Sequence, residues 1–172
     1  MPAPTLHTSR LTLRAHTLRD LDVLCDLFET DRAAHMGGPI PRKEVWRWMA
    51  SEVAMWELMG HGAWGLETPD GAFIGQVGIL KPPHFPEPEL GWTVAAAAEG
   101  KGYAYEAACA ARDWFWEAFG TDTLVSYISP GNTRSEKLAR RLGAQPDPAA
   151  QLPVGETTAD TVVFRHTREV LQ

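Results

Sequence analysis

The hydrophobic and polar residues of the chain repeat with two different periods, and these periods predict its helices and strands. The clearest helical segment runs from Tyr103 to Phe119, where apolar residues recur at steps of three and four and therefore share one face. Gly120 follows the last of them and is typical of the glycine that ends a helix. The predicted face consists of Tyr103, Ala104, Ala107, Ala108, Ala111, Trp114, Phe115 and Ala118.

Three further helices are predicted from the same period. One begins at Thr17–Asp20, which resembles a capping box with Asp in the place of Glu or Gln. A second has Pro41 in its first turn, where the missing N–H is harmless, and ends at Gly60–Gly62. The last covers residues 131–142 and is closed by Gly143. The apolar face predicted for the second helix is Val45, Trp48, Met49, Val53, Trp56 and Met59.

Alternating or continuous apolar runs between these helices predict strands. Pro69-Asp70-Gly71 lies between two of these runs and is a typical hairpin turn. The predicted strands cover residues 9–14, 63–68, 72–80, 89–94, 124–128 and 161–168. Because strands outnumber helices and include a hairpin, the order indicates an α+β (mixed α/β) fold rather than a doubly wound sheet. No repeat or linker interrupts the chain, so residues 1–172 are predicted to form one domain.

Composition narrows the class of protein. Apolar residues make up 44% of the chain and charged residues 22%, which is usual for a globular protein. The net charge of −6 argues against a nucleic acid or an anionic membrane as partner. Met1–Arg10 lacks the apolar core of a signal peptide, and no apolar run is long enough to span a bilayer. We therefore expect a cytoplasmic protein, either monomer or homodimer.

Cysteine and histidine spacing gives no sign of a disulfide framework or a metal site. Cys25 and Cys109 are the two cysteines, and we expect both to be reduced. The six histidines show no metal-ligand spacing, so no bound metal is predicted.

The segment Glu99–Ala104 is the strongest candidate for chemistry. It joins the predicted strand Glu89–Val94 to the long helix, and it places Gly100 and Gly102 where the backbone must turn sharply. Glycine accepts a positive φ and has no Cβ to obstruct a ligand. The first N–H groups of a helix have no internal partners and favour negative charge. The segment thus predicts a phosphate-sized anion site, although a purely structural turn would need the same two glycines.

Three motifs in this order and spacing resemble the GNAT superfamily of N-acetyltransferases. Thr8–Arg14, followed by Leu18–Asp20, resembles the opening strand and helix of the branch that contains the ribosomal-protein N-terminal acetyltransferases. Glu99–Ala104 resembles the acyl-CoA pyrophosphate loop of that superfamily. Asn132–Ser135, with Leu142–Ala144 at the end of the helix, resembles its later motif. The resemblance covers most of the chain.

The resemblance implies a fold and a cosubstrate. The expected fold has a central, mostly antiparallel, twisted sheet of six to seven strands, flanked by about four helices and splayed between the fourth and fifth strands. The expected cosubstrate is acetyl-CoA, with CoA as product, and the expected acceptor is a primary amine. Trp92, Thr93 and Val94 would pair with the pantetheine arm by strand-like addition. The remaining cofactor-binding residues would be Glu99, Gly100, Lys101, Gly102, Tyr103, Ala104, Asn132 and Ser135.

Two positions depart from the superfamily pattern. Glu99 stands where Gln or Arg is usual, which is a mild change because backbone amides bind the phosphates. Ala139 stands where many members carry a tyrosine that acts as general acid. Because that tyrosine is absent, Ser135 becomes the candidate for the group that protonates the leaving thiolate or binds the cofactor sulfur. Ser135 is equally explained as a capping residue in the first turn of a helix, and Asn132 also fits a cap.

Glu89 is the candidate general base. A primary amine is mostly protonated at neutral pH, so it needs a base within hydrogen-bond reach before it can attack. The resemblance implies that a glutamate lies here near the reacting carbonyl in some members, whereas the simpler interpretation is a carboxylate at a strand edge that faces solvent. The missing tyrosine also leaves open a second function, that of an inactive acyl-CoA-binding regulatory module. The sequence does not identify the amine acceptor.

Overall fold

The computed structural model of the chain describes residues 3–168, with positions 31 and 32 described by their backbone alone. Four α-helices are present: α1 Asp20–Phe28, α2 Arg42–Met59, α3 Tyr103–Phe119 and α4 Thr133–Arg141. The eight strands are β1 Leu6–His7, β2 Thr12–Arg14, β3 Ala63–Glu67, β4 Phe73–Leu80, β5 Glu89–Val94, β6 Thr123–Ile128, β7 Gln145–Pro146 and β8 Val162–Thr167. Short 3₁₀ helices cover Asp31–Met36 and Ala96–Ala98.

The strands form one sheet in the order β1-β2-β3-β4-β5-β6-β8-β7. Every neighbouring pair is antiparallel except β5 and β6, which are parallel. These two strands pair only at Glu89 and Val125 and then diverge. The mixed α/β fold and its splay, predicted from the resemblance, are therefore confirmed.

The sheet is larger than the six to seven strands expected, because two short strands extend its edges. β1 and β7 each have two residues, which is too short to show an alternating pattern. The segment around β7 is also rich in proline, which does not favour a strand. The strand predicted from residue 9 begins only at Thr12, since the preceding residues turn back to let β1 pair with β2.

The helices cover the two faces of the sheet. On one face, α3 packs through fully buried alanines against alternate residues of the central strands, among them Val77, Ile79 and Leu90. On the other face, α1 and α2 pack against each other and against β3 and β4. Side chains of a strand alternate between its faces, so Gln76, which neighbours Val77, faces the α2 side.

The prediction for α3 is confirmed at both ends. The helix begins at Tyr103 after Gly102, whose φ is 80°, and ends before Gly120, whose φ is 62°. Both angles lie in the left-handed region that glycine tolerates best. No helix within residues 3–168 combines the length and apolar character that a bilayer-spanning segment requires.

The predicted apolar face of α2 is partly wrong. Val53 and Met59 are 37% and 38% exposed, whereas Glu52 and Met55 are only 5% and 7% exposed. The buried residues of α2 are Val45, Met49, Glu52, Met55 and Trp56, so the buried stripe is centred near Glu52. A carboxyl group at the centre of a buried stripe is unusual.

Candidate active site

The divergence of β5 and β6 opens a cleft with a volume of about 460 Å³. Its walls are the end of β5, the start of α3 and one side of α4. All but one of the predicted cofactor-binding residues line it. These are Trp92, Thr93, Val94, Glu99, Gly100, Gly102, Tyr103, Ala104, Asn132 and Ser135.

The start of α3 forms one end of this cleft. Gly100 and Gly102 have φ values of 70° and 80°, so the turn uses the conformation that predicted it. No side chain caps the N-terminus of α3 within the described part of the chain. Its first N–H groups therefore face the cleft without a side-chain competitor, as an anion-binding helix start requires.

Lys101 is the predicted cofactor-binding residue that does not line the cleft. It is exposed, and its carbonyl oxygen accepts a hydrogen bond from Arg10 Nη1 at 2.8 Å. Three cationic side chains of α4 line the cleft instead: Arg134, Lys137 and Arg141. A sequence signal for them existed, since they recur at three- and four-residue steps on one face of α4.

Glu99 is held by one of these cations. Arg134 Nη1 lies 2.6 Å from Glu99 Oε1, so the carboxylate at the unusual loop position is paired across the cleft mouth. Arg140, by contrast, stacks its guanidinium 5.1 Å from the centre of the Phe164 ring and does not line the cleft.

A second cavity of about 240 Å³ lies between β4, β5, β6 and α2. Glu89 lies in its wall and is half-buried rather than free at a strand edge. Its Oε1 accepts a hydrogen bond of 3.3 Å from the backbone N–H of Tyr127. Because protein surrounds the carboxyl group, and Glu156 adds a like charge, the pKa of Glu89 is raised to about 7.

The two cavities meet at a shared set of residues. Both are lined by His35, Met36, Trp92, Thr93, Asn132 and Ser135. Asn132 also caps α4, because its Oδ1 accepts a hydrogen bond of 3.2 Å from the backbone N–H of Ser135. The capping role and the cleft-lining role predicted for Asn132 thus coexist. A ligand group held at this end of the cleft would reach the second cavity at the junction.

Comparison with known proteins agrees with this geometry. The sequence model of the family described as "Acetyltransferase (GNAT) domain" matches residues 10–145. The chain belongs to the GNAT acetyltransferase family. The predicted family and its acetyl-transfer class are confirmed, with acetyl-CoA as the cosubstrate of that class.

Solved structures and a curated relative support the assignment. An acetyltransferase from Agrobacterium tumefaciens is 39% identical, has a TM-score of 0.90, and matches over 98% of this chain and 96% of its own. The uncharacterized protein YkkB of Bacillus subtilis is 28% identical over 80% of this chain and 83% of its own length. RimL, a ribosomal L7/L12 alpha-N-protein acetyltransferase solved with coenzyme A, shares the fold at 13% identity, with a TM-score of 0.76 over 96% and 98% of the two chains.

Ala139 occupies the position at which many GNAT enzymes carry a tyrosine. It is fully buried against Ile128, Ala144 and Phe164 and lines neither cavity. Ser135 is therefore the hydroxyl group of α4 that lies at the junction of the two cavities.

Glu52 and Gln76 are GNAT-domain residues that the sequence reasoning missed. Both line the second cavity, at 5% and 4% exposure, and Gln76 Nε2 donates a hydrogen bond of 2.5 Å to Glu52 Oε2. Burial, together with the charge of Glu89, raises the pKa of Glu52 to about 8. The available signal was its place on α2, midway between the apolar residues Trp48 and Trp56.

A hydrogen-bond chain holds the GNAT sheet together beside the splay. Ser126 Oγ donates to the carbonyl oxygen of Leu90 at 2.7 Å and lies 3.0 Å from His166 Nε2. Burial lowers the pKa of His166 to about 4, so this imidazole is neutral at physiological pH. The chain therefore links β5, β6 and β8 through neutral groups.

The other histidine, cysteine and aromatic side chains differ in whether they reach a cavity. Within residues 3–168, no three His, Cys, Asp or Glu side chains are grouped as a metal site would require. His84 and Phe85 line neither cavity, while Trp48 lines the second one and contacts Phe28 edge-on. Cys25 and Cys109 are both free thiols.

Proposed function

We propose that this GNAT domain transfers the acetyl group of acetyl-CoA to the nitrogen of a primary amine by direct attack. In this proposal the 460 Å³ cleft takes the donor and the 240 Å³ cavity takes the acceptor. The observation that carries it is the junction itself, where Trp92, Thr93, Asn132 and Ser135 belong to both spaces.

The chain's own groups fit the donor at three points. The uncapped N-terminus of α3 would receive the pyrophosphate, with Arg134, Lys137 and Arg141 supplying positive charge along α4. The diverging strand at Trp92–Val94 would pair with the amide-bearing pantetheine arm as an added strand. The thioester would then lie beside Ser135.

Glu89 serves as the general base in this proposal. A carboxylate with a pKa of about 7 is half-ionised at neutral pH and is matched to removing a proton from a bound ammonium group. The amine nitrogen then forms a bond to the acetyl carbon, and the bond from that carbon to sulfur breaks. The leaving thiolate takes up a proton, for which the Ser135 hydroxyl is the candidate donor.

An assay for CoA release, with mass spectrometry of the acetylated product, tests this function. The acceptor panel contains peptides with free N-termini and small primary amines, and calorimetric titration with acetyl-CoA runs beside it. Acetylation of any amine, together with micromolar binding of acetyl-CoA, supports the proposal. Binding of acetyl-CoA without turnover of any acceptor would instead favour an inactive acyl-CoA-binding module. No contact among the described residues supports that alternative.

A further inference from the structure

The floor of the acceptor cavity is a hollow in the sheet. On its α2 side, β4 and β5 pair Gln76 with Thr93, Gly78 with Gly91 and Leu80 with Glu89. The central pair consists of two glycines, so the two strands supply no side chain there, and the space above them is bordered by the Leu80 side chain, whose Cδ2 would lie 3.0 Å from a Cβ added at Gly78. A Cβ added at Gly91 would lie 3.7 Å from Leu80 Cδ1 and 3.8 Å from Glu89 Oε2.

The two ends of this hollow carry separate carboxyl groups. Gln76 and Leu80 are four residues apart on β4, which places them about 13 Å apart along the strand. Glu52 reaches the Gln76 end from α2, while Glu89 leans inward from the Leu80 end toward Tyr127. The charge of Glu89 acts on Glu52, so the two carboxyl groups face one cavity, and an ammonium group bound by Glu89 leaves Glu52 for a second group.

The Glu52 end contains a buried acceptor that no donor among the described residues satisfies. Gln76 is 4% exposed, and its Oε1 is buried without a hydrogen-bond partner in the described part of the chain. A buried acceptor without a donor is costly and calls for a partner from outside the fold. A bound ammonium group would donate to that acceptor and would hold Glu52, which burial otherwise keeps largely protonated near neutral pH, in its ionised form.

The side chains that face the cavity include carboxyl groups but no permanently positive group among the described residues. Its titratable lining residues are His35, Glu52, Glu89 and Tyr127, and no lysine or arginine of the described residues lines it. An acceptor that carries a carboxylate would meet no permanent positive charge here, whereas a second ammonium group would meet Glu52 and the Gln76 carbonyl.

We propose that Glu52, oriented by Gln76, is a specificity-determining residue that binds a second ammonium group, so that the preferred acceptor is a compact diamine. This inference rests on the proposed amine acetylation, since it concerns the acceptor of that reaction. The volume of 240 Å³ suits a small molecule, because pockets for drug-sized ligands span about 300–1,000 Å³.

Three probes of equal chain length test the proposal. Putrescine carries a second amine on a four-carbon chain, butylamine has the same chain with a hydrogen in place of that amine, and γ-aminobutyrate ends its chain in a carboxylate. Their kcat/KM values for acetylation should fall in that order, with putrescine favoured over butylamine by about tenfold or more, the factor that 1.4 kcal/mol of binding gives. Equal values for putrescine and butylamine, or acetylation of peptides alone, would overturn the inference while leaving the proposed function intact.

Variants test which residue binds the second amine. Glu52→Gln should remove most of the preference for putrescine, whereas Glu44→Gln, an exposed residue of the same helix paired with Arg47, should keep it. Gln76→Met should also reduce the preference, because it removes the carbonyl acceptor. Thermal denaturation verifies that each variant is folded. A loss of rate by the same factor for both amines in Glu52→Gln would show a general role and contradict the proposal.

Binding without turnover separates this inference from the proposed function. Calorimetry of putrescine and butylamine against the protein saturated with CoA needs no reaction. Tighter binding of putrescine that depends on Glu52, with no acetylation of any amine, would retain the diamine site and reject the transferase function. Acetylation of butylamine with no preference in binding would do the reverse.

Discussion

The two halves of the candidate active site differ in what builds them. The donor cleft is made largely from two short segments, residues 92–104 and 132–141, and its central feature is backbone: two glycines with positive φ and an uncapped helix start. The acceptor cavity draws single side chains from α2, β4, β5 and β6. A site made of local backbone can be recognised along the sequence, whereas a site made of distant side chains defines what this particular protein acts on.

The largest effect is expected in the acceptor cavity, at Glu89. Glu89→Gln keeps the shape of the side chain and removes the base, so kcat should fall by about 10²–10⁴-fold, the range for loss of general base catalysis. Affinity for acetyl-CoA should stay near the wild-type value, since Glu89 does not line the donor cleft. Steady-state kinetics and calorimetry measure the two quantities. Unchanged kcat would remove Glu89 as the base.

The next effect is expected in the donor cleft, at Gly102. Gly102→Val places a branched side chain at a φ of 80° at the start of α3, and should weaken acetyl-CoA binding by about 10–100-fold. Gly155→Val is the matched control, because Gly155 has a φ of 89° and lines neither cavity. Calorimetric titration compares the two. Equal affinities in folded proteins would refute the phosphate-loop assignment.

A smaller effect is expected from a change of pH, which should act on the acceptor cavity through Glu89. The pKa of Glu89 is raised to about 7, so its basic form is lost as the pH falls below that value. The ratio of the wild-type rate to the Glu89→Gln rate should therefore fall about tenfold for each pH unit below 7. Taking this ratio cancels the titration of the acceptor. Affinity for acetyl-CoA, measured over the same range, provides the donor-side comparison, and a flat ratio would contradict the role of Glu89.

The smallest effect concerns stability. The pKa of Glu52 is raised to about 8, so the folded state retains a proton that the unfolded state has lost above its ordinary value of 4.5. The free energy of unfolding should therefore decrease as the pH rises between these values. Glu52→Gln should remove this decrease and unfold at a free energy about 1–3 kcal/mol higher near pH 8. Urea denaturation at several pH values measures it, and parallel curves for both proteins would disprove the shift.

Features built from local geometry were easier to predict from the sequence than features that depend on contacts between distant residues. The bounds of α3, the strand Glu89–Val94, the glycine turn and the cap at Asn132 all depend on local geometry, and they were predicted correctly. The burial of Glu52 was missed because it depends on the packing of α2 over Gln76 of β4. Lys101 was assigned to the cleft from its place in the loop, but the turn directs it outward. The two-residue strands β1 and β7 depend only on their neighbours in the sheet.

The single point of pairing between β5 and β6 has a consequence for the order of events. An empty protein has a slot where the two strands part, and the acceptor cavity shares part of its wall with that slot. A donor seated there as an added strand would close the slot and complete this shared wall. If the proposed function holds, we expect the donor to bind first and complete the chamber, the acceptor to enter second, and the departure of CoA to reopen the chamber for the next cycle.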